Sequence, residues 1–185
     1  GQSSPPMVVS QIARTSRFTA TIYDPYVNIL RSTSQAFSGA VGGVSSLQVG
    51  CFDEAVRPGG EIAKRIARNI QIMLQTEFDL LQPTDPAGGS WYIETLTIQV
   101  AEEIWSLMQQ TDSVGGFLKS LEDGHVQENV EKILNSRLKN LDFRFDRALG
   151  TNMYPNNIEQ ALEYESPSGE ELFIKRKRAV DSYKE

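Results

Sequence analysis

The feature that most constrains the fold is a pair of short apolar, β-branched runs that flank a segment with helical periodicity. The runs lie at residues 7–13 and 44–49. Between them, Asp24 is placed to cap a helix whose first position suits Pro25, and a glycine pair at residues 42–43 ends it. Along this helix a periodic set recurs at steps of three and four: Val27, Leu30, Ser34, Phe37 and Val41. Because buried strands joined by a helix pair in parallel, this order predicts an α/β fold.

Helices separated by turns continue toward the C-terminus. A turn at residues 58–60 opens a second long helix, and Pro86 with two glycines makes residues 85–90 a tight loop. Amphipathic helices are predicted at residues 96–108 and 126–141. In the second long helix the apolar stripe, which we expect to pack, consists of Ile62, Ile66, Ile70 and Leu74.

The charge of the chain limits its partners. A net charge of −6 argues against a nucleic-acid binder, because phosphate contacts need clustered Lys and Arg. The local exception is the basic run at residues 175–178, for which a solvated helix face or a contact between subunits is the favoured interpretation. No apolar run reaches the roughly 18 residues that span a bilayer, and residues 1–6 lack a signal-peptide pattern. We therefore expect no membrane partner and a cytoplasmic location.

The chain has a single cysteine, Cys51, and a single histidine, His125. One cysteine excludes an internal disulfide, and one histidine excludes a His-rich metal cluster. Cys51 is expected to be a small buried hydrophobe at the end of a strand rather than a nucleophile. His125 follows Asp123-Gly124, so we expect a solvated residue near a helix start rather than a catalytic base or a metal ligand. No metal site is predicted.

Four sequence blocks occur in one order along the chain. They are Thr15-Ser16-Arg17-Phe18, Asp24-Pro25-Tyr26-Val27-Asn28-Ile29-Leu30-Arg31, Cys51-Phe52-Asp53-Glu54-Ala55 and Asp85-Pro86-Ala87-Gly88-Gly89-Ser90-Trp91-Tyr92. In wording and spacing, residues 7–155 resemble the acyl-CoA-binding barrel domain of the adenosylcobalamin-dependent methylmalonyl-CoA mutase family. The resemblance implies the C-terminal portion of a TIM-type (β/α)8 barrel with about three βα units, whose third strand lies at residues 147–153.

The domain organisation follows from where the periodicity fades. We place a partial mutase barrel domain at residues 1–155 and a linker with an extended C-terminal segment at residues 156–185. A short helix is expected at residues 172–180. Three parallel strands leave two unpaired edges, so this piece should not be a complete soluble fold by itself.

The resemblance also assigns site positions. Catalytic mutase chains carry His-x-Gln immediately before the Thr-Ser pair, where this chain has Ile12 and Arg14, and residues 45–50, with Gln48, depart from the family's Gln-Ser-Leu-His-Thr-Asn. Glu54 matches the glutamate that hydrogen-bonds the adenosyl ribose in catalytic relatives, although a loop or helix-start role fits it at least as well. The chain is therefore most similar to the family's small, non-catalytic subunit, and we predict no catalytic residue in it. Arg14 is expected to plug the barrel mouth and pair with a carboxylate.

Cobalamin binding in this family uses a separate domain with an Asp-x-His-x-x-Gly motif, which this sequence lacks. We expect no cofactor bound by this chain alone, and adenosylcobalamin in the complex that the resemblance implies. The expected partners are the remaining mutase barrel segment or the large catalytic subunit, together with the cobalamin-binding domain. Two hypotheses stay open: a structural, small-subunit-like chain, or the substrate-binding segment of an active acyl-CoA mutase that another chain or segment completes.

Overall fold

The computed structural model describes residues 10–80, 82–83, 85–160 and 162–163. They fall into two compact units, of which the first comprises the residues up to Pro86 and from Tyr154 onward, and the second Ala87–Met153. The first unit contains strand β1 (Ile12–Arg14), helix α1 (Val27–Val41), strand β2 (Ser46–Gln48) and helix α2 (Glu61–Thr76). The second contains helices α3 (Trp91–Ser113), α4 (Phe117–Glu122) and α5 (His125–Asp142).

Strands β1 and β2 pair in parallel, and α1 is the crossover between them. In the register, Ile12 pairs with Ser46 and Arg14 pairs with Gln48. The ladder continues past β1, where the N–H of Thr15 donates to the carbonyl of Gln48 at 3.0 Å. The predicted α/β arrangement is confirmed at the level of this small parallel sheet with its helices. Residues 7–9 of the first predicted strand lie outside the described residues.

Helix α1 begins at Val27, with Tyr26 at the N-cap position, so the predicted cap at Asp24 is wrong. Asp24 has a φ of 44°, and its carbonyl accepts the N–H of Val27 at 3.0 Å. Pro25 and Tyr26 therefore belong to a turn that leads into the helix. Because Asp tolerates the left-handed region better than most residues, the sequence permits this turn where a cap was expected.

The rotation of α1 is set by a polar side chain. Asn28 is 2% exposed, whereas Leu30 and Phe37 from the periodic set are 63% and 48% exposed. The amide of Asn28 donates to the carbonyls of Thr21 and Phe52 at 2.8 and 2.9 Å. A buried amide that lost such partners would carry a large desolvation penalty. The network therefore holds Asn28 inward, and Leu30 and Phe37 face outward, while Ile29 packs against the core.

The core of the first unit lies between α1, β2 and α2. Its buried members are Ala36, Val49, Ala67, Ile70 and Leu74. Ile66 packs against this core, but Ile62 is 74% exposed, so the predicted stripe of α2 holds only from Ile66 onward. Ala63, next to Ile62, is buried instead. Small side chains at this contact let two helices approach closely, which favours the alanine face over Ile62.

In the second unit, α3 and α5 confirm the helices predicted at residues 96–108 and 126–141. The loop before α3 is a turn in which the N–H of Gly89 donates to Oε1 of Glu94 at 3.0 Å. Gly115 and Gly116 have φ values of 107° and 90° and allow the chain to reverse between α3 and α4. None of the helices in the part of the chain that the structure describes combines the length and apolar character that crossing a bilayer requires.

The third strand, expected at residues 147–153, is not formed. Leu149 and Met153 make an isolated bridge inside a turn. The side chain of Asn152 holds this turn: its Oδ1 accepts the N–H of Ala148 at 2.7 Å, and its Nδ2 donates to the carbonyl of Leu141 at 2.9 Å. These local bonds compete with ladder bonds, which an isolated third strand without its neighbours does not have. The described residues therefore hold two strands, and the barrel remains a prediction.

The remaining expectations for the C-terminal region are not tested by the structure. The division into residues 1–155 and 156–185 stays a prediction. The short helix expected at residues 172–180 and the basic run at residues 175–178 lie outside the described residues.

Candidate functional site

The candidate site lies where the two parallel strands end at their carboxyl termini. Residues 15–17 follow β1, and residues 49–57 follow β2. The two loops are tied together by Thr15, which is 6% exposed and whose Oγ1 accepts the N–H of Gly50 at 2.8 Å. Residues at the carboxyl ends of parallel strands are the ones that α/β folds use for binding and catalysis.

At this end of the sheet, Arg14 and Glu54 form an ion pair. Nη2 of Arg14 donates to Oε2 of Glu54 at 2.7 Å, and Nε of Arg17 lies 3.7 Å from the same oxygen. The side chain of Glu54 is 12% exposed, and that of Arg14 is 35% exposed. The pairing of Arg14 with a carboxylate, which the sequence predicts, is thus present, and its partner is Glu54. That Glu54 stands at the ribose position stays a prediction.

Glycine at position 50 leaves room for this arrangement. A methyl group at Gly50 would lie 2.6 Å from Oε1 of Glu54 and 2.9 Å from its carboxyl carbon. No carbon approaches an oxygen this closely without displacement, so any larger residue would push the Glu54 carboxylate away from its present position. The carboxylate therefore lies directly over the backbone of Gly50, with Arg14 and Arg17 at its other oxygen.

The other two predicted pocket positions, Gln48 and Ile12, lie on the same two strands. Gln48 is the register partner of Arg14, and Ile12 precedes Arg14 by two residues on the same face of the strand. Gln48 is exposed, and Ile12 is 81% exposed. The structure therefore brings Arg14, Gln48 and Glu54 to one end of the sheet, while Ile12 lies at the beginning of β1. Their relation to a ligand stays a prediction.

A buried polar network under the site was not predicted from the sequence. Oδ1 of Asn28 accepts the N–H of Thr21 at 3.0 Å and Nη1 of Arg31 at 2.7 Å. With its two donor bonds to the carbonyls of Thr21 and Phe52, the amide of Asn28 is fully satisfied. Burial lowers the pKa of Arg31, which the charge of Asp24 partly opposes. The available signal was the polar pair Asn28 and Arg31, one helical turn apart, inside an otherwise apolar block.

The loop after β2 is braced by a second ion pair. Asp53 is 1% exposed, and its Oδ2 accepts Nε of Arg57 at 2.9 Å. Oδ1 of Asp53 has no hydrogen-bond partner among the residues that the structure describes. Cys51 lies in the same loop, where burial, followed by the charges of Asp53 and Glu54, raises the pKa of its thiol. A neutral thiol is a poor nucleophile. Cys51 is half-buried and lies three residues beyond the end of β2, so the expected buried position at the end of a strand is wrong.

The described residues do not fit the way in which this family is expected to hold its cofactor. Glu54, the candidate for the adenosyl ribose, is largely buried and already paired with Arg14. His125 is the exposed first residue of α5. Within residues 10–80, 82–83, 85–160 and 162–163, no three His, Cys, Asp or Glu side chains cluster as a metal site would require. No chemical step through adenosylcobalamin is therefore assigned to this chain.

Comparison with known proteins identifies the family. The sequence model of the methylmalonyl-CoA mutase family matches residues 1–185. The chain is 37% identical over 153 residues to a methylmalonyl-CoA mutase small subunit from Porphyromonas gingivalis, covering 83% of this chain and 25% of the relative. It is 36% identical over 150 residues to methylmalonyl-CoA mutase from Escherichia coli, covering 81% and 21%. It is 33% identical over 176 residues to a small subunit from Streptomyces virginiae, covering 95% and 29%.

This chain belongs to the methylmalonyl-CoA mutase family. It spans about a quarter of the length of these relatives. Relatives named as small subunits and relatives named simply as mutases match it at similar identity. The family is therefore settled by the comparisons, whereas the role within the family has to be argued from the site.

Proposed function

We propose that this chain is a small-subunit-like part of a methylmalonyl-CoA mutase, which contributes barrel structure and no catalytic group. The observation that carries the proposal is the bond between Nη2 of Arg14 and Oε2 of Glu54 at 2.7 Å. Arg14 stands where catalytic relatives are expected to carry glutamine, and its partner is the glutamate expected to bind the ribose. Arg14 thus both replaces the expected glutamine and binds the carboxylate of Glu54.

The physical reason is that Arg14 already binds an oxygen of Glu54, which a ligand would need as a hydrogen-bond acceptor. A carboxylate that binds ribose hydroxyls must offer free oxygen lone pairs. In this chain one oxygen of Glu54 receives Arg14 with Arg17 nearby, and the other lies against Gly50. A ligand that takes the place of Arg14 at Oε2 of Glu54 would have to break a charge-assisted hydrogen bond, worth about 1.5–3 kcal/mol. The pair therefore favours a structural role over a binding role.

The proposed assembly supplies what this chain lacks. The partners are a large catalytic subunit or the remaining barrel segment, and a separate cobalamin-binding domain that holds adenosylcobalamin. In this assembly the chain forms the C-terminal portion of a (β/α)8 barrel, so that neighbouring strands cover the free edges of β1 and β2. Such an acyl-CoA-processing complex is proposed to reside in the cytoplasm.

The test is Glu54→Gln in the complete mutase complex, with Glu61→Gln as its control. The side chain of Glu61 is 94% exposed at the start of α2, so its substitution removes a negative charge without touching the site. We expect methylmalonyl-CoA turnover and adenosylcobalamin affinity of both variants to stay within about twofold of the parent. A loss of tenfold or more in Glu54→Gln alone, about 1.4 kcal/mol, would overturn the proposal.

The second candidate function is the substrate-binding segment of an active acyl-CoA mutase. The observation in its favour is the similarity to proteins named as mutases without a subunit designation, such as the Escherichia coli relative at 36% identity. In that case Arg14 would release Glu54 when substrate and cofactor bind. The tenfold loss described above is the outcome that this alternative predicts, so one experiment separates the two functions.

A further inference from the structure

The segment at residues 156–160 and 162–163 follows the predicted domain boundary and belongs to the first compact unit. Oε1 of Glu159 accepts the backbone N–H of Asp24 at 2.6 Å. The segment is also turned locally, because Oδ1 of Asn156 accepts the N–H of Ile158 at 3.3 Å and the carbonyl of Asn156 accepts the N–H of Glu159 at 3.2 Å. A contact that joins residues so distant in sequence has to be built by folding, since local chain geometry does not produce it.

This segment forms one wall of a cleft of about 540 Å³. The opposite wall is formed by residues 24–26 and by Arg57. Glu159, Glu163 and Arg57 are among the residues that line the cleft. The segment thus faces two places that lie far apart in the sequence, and its hydrogen bond to Asp24 is the contact with one of them.

Both of these places are joined to the loop that carries Glu54. The ring of Tyr26 stacks on that of Phe52, with centroids 5.2 Å apart. Arg57 is bound to the buried carboxylate of Asp53 at 2.9 Å. Phe52 and Asp53 immediately precede Glu54 in the chain. The turn that Glu159 holds is therefore linked to that loop through the ring of Tyr26.

The hydrogen bond between Asp24 and Glu159 stabilises an unfavourable backbone conformation. Asp24 lies in the left-handed region, with a φ of 44°, which costs free energy for a residue other than glycine. Its N–H is directed out of the turn toward Glu159, and no other residue among those described accepts it. The carboxylate of Glu159 therefore satisfies a donor in the one turn that sets the start of α1.

We propose that residues 156–160 with 162–163 form a strap that locks the turn before α1 and through it holds residues 51–57 in place. Glu159 is the positioning residue of this strap. It acts on the site through the turn at Asp24 and the ring of Tyr26. This role does not depend on whether Glu54 binds a ligand.

The experiment compares hydrogen–deuterium exchange in the complete protein and in Glu159→Ala, read by mass spectrometry on peptides that cover residues 22–27 and 51–57. Losing a charge-assisted hydrogen bond is expected to speed exchange of the Asp24 amide by about tenfold or more. The proposal also expects faster exchange at residues 51–57, which a strap that serves only the turn would leave unchanged. Glu131→Ala, an exposed substitution in α5, should change neither peptide.

Glu159→Gln keeps an acceptor oxygen and removes the charge, so it should restore most of the protection lost in Glu159→Ala. Unchanged exchange at Asp24 in Glu159→Ala would overturn the strap. Faster exchange at Asp24 with unchanged exchange at residues 51–57 would overturn its coupling to the site. Equal loss of protection in the Gln and Ala variants would show that the hydrogen bond of Glu159 is not what holds the strap.

Discussion

The energetic coupling between Arg14 and Glu54 is the sharpest quantity that the structure predicts. Their bond is 2.7 Å long, and Glu54 is 12% exposed. A hydrogen bond between charged groups contributes about 1.5–3 kcal/mol when shielded, whereas an exposed ion pair contributes about 0.2–1 kcal/mol. Because Arg14 is 35% exposed and Arg17 stays near the same oxygen at 3.7 Å, we expect a coupling between these ranges, about 1–2 kcal/mol.

The assay is a double-mutant cycle with Arg14→Met, Glu54→Gln and the double variant in the complete protein. Methionine keeps the length of the side chain and removes the charge and the donor groups. Native-state hydrogen exchange at residues 50–57 gives the free energy of local opening for the parent, the two single variants and the double variant. The coupling energy follows from these four values. A local probe is needed because unfolding of a large assembly is rarely two-state.

The control is the same cycle on Glu61 and Lys64 in α2. Their side chains are 94% and 62% exposed and their charged atoms lie 3.3 Å apart. Such a pair should couple by less than about 0.5 kcal/mol. Additivity of mutational effects holds to about 0.3 kcal/mol. A coupling energy between Arg14 and Glu54 below this value would refute the claim that the two side chains are strongly paired.

Three further predictions concern the network, the thiol and the isolated chain. In the complete protein, Asn28→Ala should lower the free energy of local opening of the first unit by about 2–4 kcal/mol, because it leaves several buried groups unpaired. A loss below about 1 kcal/mol, measured by native-state hydrogen exchange at residues 21–28, would contradict this. The raised pKa of Cys51 means that the folded state keeps the thiol proton to higher pH than the unfolded state. Stability should therefore fall as pH rises above about 8.5, and half-maximal alkylation by iodoacetamide at or below that pH would count against it. The isolated chain should not be a stable monomer that binds adenosylcobalamin, and a monodisperse, cooperatively unfolding, cobalamin-binding species in size-exclusion chromatography would show the opposite.

The order of strands and helices in the first unit could be predicted from the sequence because it depends on local patterns. Helices α1 and α2 are marked by periodic apolar residues and end signals, and β1 and β2 by short apolar runs. The start of α1 could not be predicted, since a turn at Asp24 and a cap at Asp24 use the same residues. The prediction of a strand at residues 147–153 is wrong because a strand needs neighbouring strands to pair with. The side chain of Asn152 makes local hydrogen bonds there instead.

The candidate site also has some features that were predictable from the sequence and others that were not. The charge of Arg14 and its need for a carboxylate were predictable from a single position. That the carboxylate is Glu54, forty residues along the chain, depends on the register of β1 and β2 and on the space at Gly50. The inward position of Asn28 likewise depends on the carbonyl of Phe52, which no pattern within α1 reveals. Tertiary partners decide these features, and periodicity within one element does not contain them.

The central claim is that Arg14 closes the position at which catalytic relatives bind their ligands. It is tested most directly by an experimental structure of the complete protein after incubation with methylmalonyl-CoA. We expect this structure to show Arg14 paired with Glu54, and no density for a pantetheine arm beside Ile12, Arg14, Gln48 and Glu54. An open channel at these residues that holds a pantetheine arm, with Arg14 turned away from Glu54, would contradict the account and return acyl-CoA binding as the function of this chain.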